Sequence, residues 1–209
     1  AQKNQMRVLK SFRERRVSDA HFHGSTGYGY DDFGRETLEA VFADVFGAEA
    51  GLVRPQIVSG THAITIALFG VLRPGDELLY ISGKPYDTLE GVIGLRAGGS
   101  GTLKDFGIDC RIVPLKDGGI DVDRVIQAIG PRTKMVAIQR SRGYDERPSL
   151  NIETIGAAIQ AIKARFPEII VFVDNCYGEF VEDREPCHVG ADLVCGSLIK
   201  NPGAGLVAS

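Results

Sequence analysis

Short runs of β-branched and apolar residues alternate along this chain with longer segments whose apolar positions recur at helical spacing. The short runs are Pro55 to Val58, Glu77 to Ile81, Cys110 to Val113, Met135 to Ile138, Ile169 to Val173, Leu193-Val194 and Leu206-Val207. Helical spacing is predicted over Arg35 to Phe46, with Leu38, Val41, Phe42, Val45 and Phe46 on one face and Gly47 placed to end it. It is predicted again over Thr61 to Leu72, Thr88 to Leu95, Val122 to Ile129 and Ile152 to Ala164. Strands this short, alternating with helices, predict an α/β fold: one domain with an open, mostly parallel sheet and helices on both faces. Turns punctuate the units at Pro74-Gly75, Asp117-Gly118-Gly119 and Gly130-Pro131, and Gly98 to Gly101 reads as a flexible loop. In such sheets ligands gather beyond the carboxyl ends of the strands, where loops lead into helix N-termini.

Charge and composition narrow the classes of function. The 209 residues carry 24 Lys plus Arg against 27 Asp plus Glu, a net charge of -3, so no general field favours a polyanion and no nucleic-acid partner is expected. The first sixteen residues are locally basic, with Lys3, Arg7, Lys10, Arg13, Arg15 and Arg16 on a segment where Met6, Leu9 and Phe12 approach helical spacing. This predicts an amphipathic helix lying on the body of the protein or on a partner subunit. The longest apolar run, Ala63 to Leu72, stops at Arg73 after about half the ~20 residues that a bilayer requires, so no membrane partner and a cytoplasmic location are expected. Cys110, Cys176, Cys187 and Cys195 form no CxxC pair; with His188 their spacing matches no standard zinc site, so no metal is assigned. The absence of an initiator methionine and the stop at Ser209 inside an apolar run lead to the expectation of a piece of a longer polypeptide.

Three segments at predicted strand ends carry chemistry. Ser59-Gly-Thr-His-Ala63 opens a helix with bare backbone N–H groups at Gly60 and Thr61, which suits a phosphate, although a plain Ser/Thr cap has the same pattern. Ile169-Ile-Val-Phe-Val delivers Asp174 at its carboxyl end; a carboxylate held by so apolar a strand needs a cationic or donor partner. Leu193-Val-Cys-Gly-Ser-Leu-Ile leads to Lys200, a lysine near apolar walls of the kind that Schiff-base chemistry uses. Ser197-x-x-Lys200 also spells a penicillin-binding motif, but no Ser-Asp-Asn or Lys-Thr-Gly accompanies it.

Together these segments resemble the large domain of fold-type I pyridoxal-phosphate enzymes. The phrases SGTHAITIALFGVLRPGDELLYISGKPYDTLEGVIG, VDNCYGEF and SLIKNPGAG resemble the methionine gamma-lyase-like family, relatives of the cystathionine lyases often described as aluminium-resistance proteins. The resemblance implies pyridoxal 5'-phosphate as cofactor, with residues 1–34 as an N-terminal helix and arm and residues 35–209 as the cofactor-binding large domain. It implies that Lys200 bonds to the cofactor aldehyde, Asp174 faces the pyridinium nitrogen, Tyr86 stacks on the ring, and Ser59, Gly60, Thr61 and Ser197 surround the phosphate. Tyr28, Tyr30 and Arg35 lie where related enzymes send an arm into the neighbouring subunit's site. Their spacing departs from the usual cystathionine-lyase pattern, and a Tyr-rich loop packed on its own body is the alternative. His62, Arg140, Ser141 and Tyr144 also fall near strand ends, with at most one or two of them expected at the cofactor. The arginine that binds substrate carboxylate in this fold is expected in a C-terminal small domain beyond Ser209. The implied activity is a carbon-sulfur lyase eliminating a thiol from a sulfur amino acid such as methionine or cystathionine, in a homodimer or homotetramer. An aldolase or aminotransferase of the same fold, or a non-catalytic binding or metal-tolerance protein, is the alternative.

Overall fold

A computed structural model describes residues 1–25 and 29–201 of the chain. The elements run α1 (Gln2–Glu14), α2 (Phe33–Phe46), α3 (Gly60–Val71), β1 (Glu77–Tyr80), α4 (Asp87–Ile93), β2 (Asp109–Ile112), α5 (Val122–Ala128), β3 (Thr133–Gln139), α6 (Ile152–Arg165), β4 (Ile170–Asp174) and β5 (Leu193–Cys195). Single 3-10 turns occupy Asp19–Phe22 and Pro186–Val189. The five strands form one sheet in the order β2-β1-β3-β4-β5, every pair parallel, as the alternating pattern predicts.

Side-chain alternation divides the core into two layers. Leu78, Tyr80, Met135, Ala137 and Phe172 face one way and pack against Ile64 and Leu68 of α3 and Leu89 and Ile93 of α4. Leu79, Val136, Ile138, Val171 and Val173 face the other way, against Val125 of α5 and Ile155, Ile159 and Ile162 of α6. Both faces of the central strands β1, β3 and β4 are therefore largely dry, whereas the edge strand β2 is mostly exposed. Caps fix where the helices start: Asp32, Ser59, Asp121 and Asn151 each accept a bond from the backbone N–H three residues on.

One expected strand is not formed, and another falls where no structure is described. Pro55 to Val58 is not a strand but a turn closed by Ile57 N–H donating to Arg54 O at 3.0 Å. Its proline lacks an N–H, and Val58 is 74% exposed, so the segment buries no face that would hold it on the sheet. The predicted run Leu206-Val207 lies outside the described residues.

Helix α1 lies on the body, though by its polar side. Asn4 is buried and its Nδ2 donates to Phe180 O at 2.8 Å and Glu182 O at 3.0 Å, while Ser11 and Arg15 bond to Asp44 of α2. Met6, Leu9 and Phe12, the residues whose spacing marks the helix, are left exposed.

Phe172 is 1% exposed in the layer beneath α3. Phe172→Ala should lower the unfolding free energy by about 3–5 kcal/mol in urea denaturation; a loss under about 1 kcal/mol would mean that this layer is not packed as described.

Candidate functional site at the carboxyl edge of the sheet

Asp174 ends β4 as predicted and is 2% exposed. Its Oδ1 accepts from Cys176 N–H at 3.1 Å, and among the described residues no cation lies within ion-pair distance of it. Burial raises its pKa; the N–H and the thiol of Cys176, and then the field of Lys200, oppose that rise. The expected donor is thus Cys176 N–H, and the only described cation acting on Asp174 is the lysine that the sequence singles out.

The chain after Asp174 makes a tight, strained loop. Tyr177 and Phe180 adopt left-handed backbone angles, φ 71° and 60°, which side chains larger than glycine rarely tolerate. A buried polar network holds them. Arg140, at the end of β3, donates to Asn175 Oδ1 at 2.8 Å and Gly178 O at 2.9 Å and pairs with Glu182. Glu185 accepts from Asn175 Nδ2 at 3.0 Å and from Phe180 N–H at 2.8 Å, with Arg140 and Arg7 at 3.6 and 3.7 Å. Gly178 has no substitute here, because a Cβ would fall 2.6 Å from both Arg140 Cδ and Asn175 Oδ1.

The segment carrying Ser197 and Lys200 is stitched to that loop. Asn175 N–H donates to Cys195 O at 2.8 Å, Ser197 N–H donates to the buried carboxylate of Glu179, and Asn201 Nδ2 donates to Tyr177 O at 2.8 Å. Lys200 Nζ sits 4.5 Å from the centroid of the Tyr177 ring, a cation-π placement. Asp174, Tyr177 and Lys200 are therefore brought to one place by two loops from neighbouring parallel strands.

A second group joins them from β1 and β3. Tyr86 precedes α4; its backbone N–H donates to Gln139 Oε1 at 3.1 Å, and its hydroxyl lies 2.7 Å from Thr61 Oγ1. Gln139 is the register partner of Asp174 across β3 and β4. At Gly60 a Cβ would fall 3.1 Å from Cys176 Sγ, so the N-terminus of α3 closes directly on the Asp174 loop. Ser59, Gly60, Thr61, Tyr86, Asp174, Ser197 and Lys200 thus converge on the carboxyl edge, with Ser59 Oγ already used as the α3 cap, accepting from His62 N–H at 3.1 Å.

Other expected residues take different places. Arg140 is buried in the network that supports the loop, Tyr144 is 95% exposed, and His62 Nδ1 is occupied by Val58 N–H. Ser141 offers its carbonyl to Gln139 Nε2 and to Arg147. Tyr30 is exposed, and Arg35 lines a separate cavity of about 560 Å³ beside Phe12, His21 and Arg54 that includes none of Asp174, Tyr86 and Lys200. Tyr28 lies outside the described residues. Sequence reasoning missed Tyr177, Gln139 and Glu179. Gln139 follows an apolar run as Asp174 does, and the same rule would have found it; Tyr177 and Glu179 are set by loop geometry and leave no periodic signal.

The open parallel α/β sheet, with a buried carboxylate and a lysine converging at its carboxyl edge, places the chain in the doubly wound class. A family model described as methionine gamma-lyase matches residues 1–209, and the chain belongs to that family. The chain is 65% identical over 99% of its length to the uncharacterized protein YnbB of Bacillus subtilis, covering 49% of that protein. A solved structure from Listeria monocytogenes, described as a candidate cystathionine beta-lyase involved in aluminium resistance, superimposes with a TM-score of 0.94 at 61% identity, covering 98% of this chain and 52% of that one. The L-methionine gamma-lyase of Pseudomonas putida is 34% identical over 78% of the chain and 36% of that enzyme. The chain thus spans about half the length, or less, of these relatives.

Glu179 provides a test of the electrostatics. Burial, with Glu185 and Asp174 nearby, pushes its pKa up from 4.5 to about 7. A carboxyl group whose folded pKa is raised costs stability as pH climbs from its unfolded pKa to its folded one, and costs nothing below both. Glu179→Gln should therefore be more stable than the parent by about 1–3 kcal/mol at pH 8, the difference vanishing near pH 4.5, as read by denaturant unfolding at the two pH values. A parent more stable than the variant at pH 8 would contradict this description.

Proposed function

We propose that the protein containing this chain is a pyridoxal-phosphate-dependent carbon-sulfur lyase that eliminates a thiol from a sulfur amino acid. The observation that carries the reading is the pairing at the carboxyl edge of the sheet. Asp174 lies 2% exposed with one backbone donor and no described ion pair, within the field of Lys200 on a neighbouring loop. A buried carboxylate so placed suits a cationic ring N–H, which would stabilise its charge.

The residues fit that cofactor. Asp174 would hold a proton at the ring nitrogen, Lys200 would carry the aldehyde, Tyr86 would cover a ring face, and the first N–H groups of α3 with Ser197 would meet the phosphate. When bound, pyridoxal phosphate supplies an electron sink for the pair left when a substrate Cα–H bond breaks. Once the substrate's own amino group had replaced it on the aldehyde, the freed Lys200 amine would take the Cα proton, and Asp174 would hold the proton at the ring nitrogen that keeps the sink effective. Loss of the thiol from Cβ completes a β-elimination; loss from Cγ requires a further proton removal at Cβ. The strained Tyr177 loop holds an aromatic face against the amine, which limits where that amine can travel. Residues 1–34 as an arm, with Tyr28, Tyr30 and Arg35 reaching a neighbouring subunit's site, and a homodimeric or homotetrameric enzyme belong to the same proposal.

Borohydride treatment of the full-length protein with pyridoxal phosphate should give a stable adduct on the peptide bearing Lys200. Lys200→Ala should lose that adduct and at least about 10³-fold of 2-oxo acid release from methionine, cystathionine or cysteine. Glycine and an aldehyde as products would favour an aldolase. No adduct and no visible absorption band would favour a non-catalytic protein.

A further inference from the structure

The most unusual group outside the proposed chemistry is Glu179. It is 1% exposed, one carboxylate oxygen accepts from Ser197 N–H, and the other, Oε2, is buried with no partner among the described residues. A Cβ at Gly196 would fall 2.7 Å from Glu179 Oε1, so the chain passes as close to this acid as a glycine allows. A buried, half-satisfied carboxyl group costs free energy. Alanine here would remove that cost and would also release Ser197, at the start of the turn that ends in Lys200.

We infer that Glu179 is a positioning residue: its carboxylate fixes the Cys195-to-Lys200 turn through Ser197 N–H and so sets the place of Ser197 and Lys200 for the cofactor. This rests on the proposed cofactor site and adds to it a residue that touches no reacting atom. The geometry is local and direct, because Lys200 N–H and Asn201 N–H both donate to Ser197 O, at 3.0 and 3.3 Å, and the turn therefore pivots on Ser197. Fixing Ser197 from one side by Glu179 and from the other by these two bonds leaves the turn little freedom.

The bond strengthens when Glu179 ionises, since an N–H to carboxylate bond is roughly twice as strong as a neutral one. The charged groups that bear on this acid are Asp174 at the end of β4 and Glu185 before the 3-10 turn, both of which favour its neutral form; Arg140 is directed to Asn175, Gly178, Glu182 and Glu185. With its pKa near 7, the acid changes state between pH 6 and pH 8.5. Glu179→Gln, fixed in the neutral form, should then bind like the parent at pH 6 and more weakly at pH 8.5.

The test is the Kd for pyridoxal phosphate, read by absorbance titration of the full-length parent, E179Q and E179A at pH 6 and 8.5, with circular dichroism to check folding. E179A should bind about tenfold more weakly than the parent at pH 8.5. E179Q should match the parent at pH 6 and fall about threefold behind it at pH 8.5. If E179A does not fold, the pH dependence of E179Q decides, and Gly196→Ala, which crowds the carboxylate, should weaken binding as E179A would. A parent-to-E179Q ratio that does not change with pH, or parent-like binding by E179A, would overturn this inference while leaving the lyase reading intact. A parent that binds no pyridoxal phosphate would overturn both.

Discussion

Removing a carboxylate from water is among the largest local costs a small domain bears, and this chain bears it at Asp174, with Glu179 and Glu185 buried behind it. The surrounding strands leave little choice. β4 is dry on both faces, so the polar residue that ends it emerges into a confined space closed by α3, by the Cys176 loop and by the turn from β5. Among the described residues, the N–H and thiol of Cys176 and the field of Lys200 compensate it. The parallel sheet makes the convergence possible, because every strand delivers its carboxyl end to the same edge.

The second cost is conformational. Tyr177 and Phe180 sit in left-handed backbone angles, and the Arg140, Asn175, Glu182 and Glu185 network supplies the bonds that keep them there. Helix α1 extends that support through Asn4 and Arg7 to the same loop. The residues behind the site thus trade stability for a fixed geometry: buried acids with raised pKa values and strained backbone gather behind the groups that would bind ligand. The N-terminal helix is consequently part of the site's foundation, although it lies far from it in sequence.

The parts legible in the sequence are those governed by period and by chain ends. β-branched runs such as Ile169 to Val173 and the alternation with Ile152 to Ala164 mark β4 and α6 because a dry parallel strand and an amphipathic helix each impose one pattern. Asp174 is visible as the polar residue that ends an apolar strand, and Lys200 as a lysine a few residues beyond the next one. Pro55 to Val58 misleads because a short apolar run reads as a strand even where no neighbour exists to pair with it. The apolar face of α1 misleads in the other direction: Met6, Leu9 and Phe12 stay exposed while Asn4 and Ser11 are buried. Tyr177, Glu179 and the left-handed angles are invisible because they depend on which loops meet in space, a relation that no local spacing encodes.

The direct measurement of the central claim is the 15N chemical shift of the ring nitrogen of isotopically labelled pyridoxal phosphate bound to the full-length protein. The account predicts a protonated, pyridinium-type shift that becomes a neutral pyridine shift in Asp174→Asn. A neutral shift in the parent, or a protonated one that survives the substitution, would contradict the assignment of Asp174 and with it the chemistry built on that carboxylate.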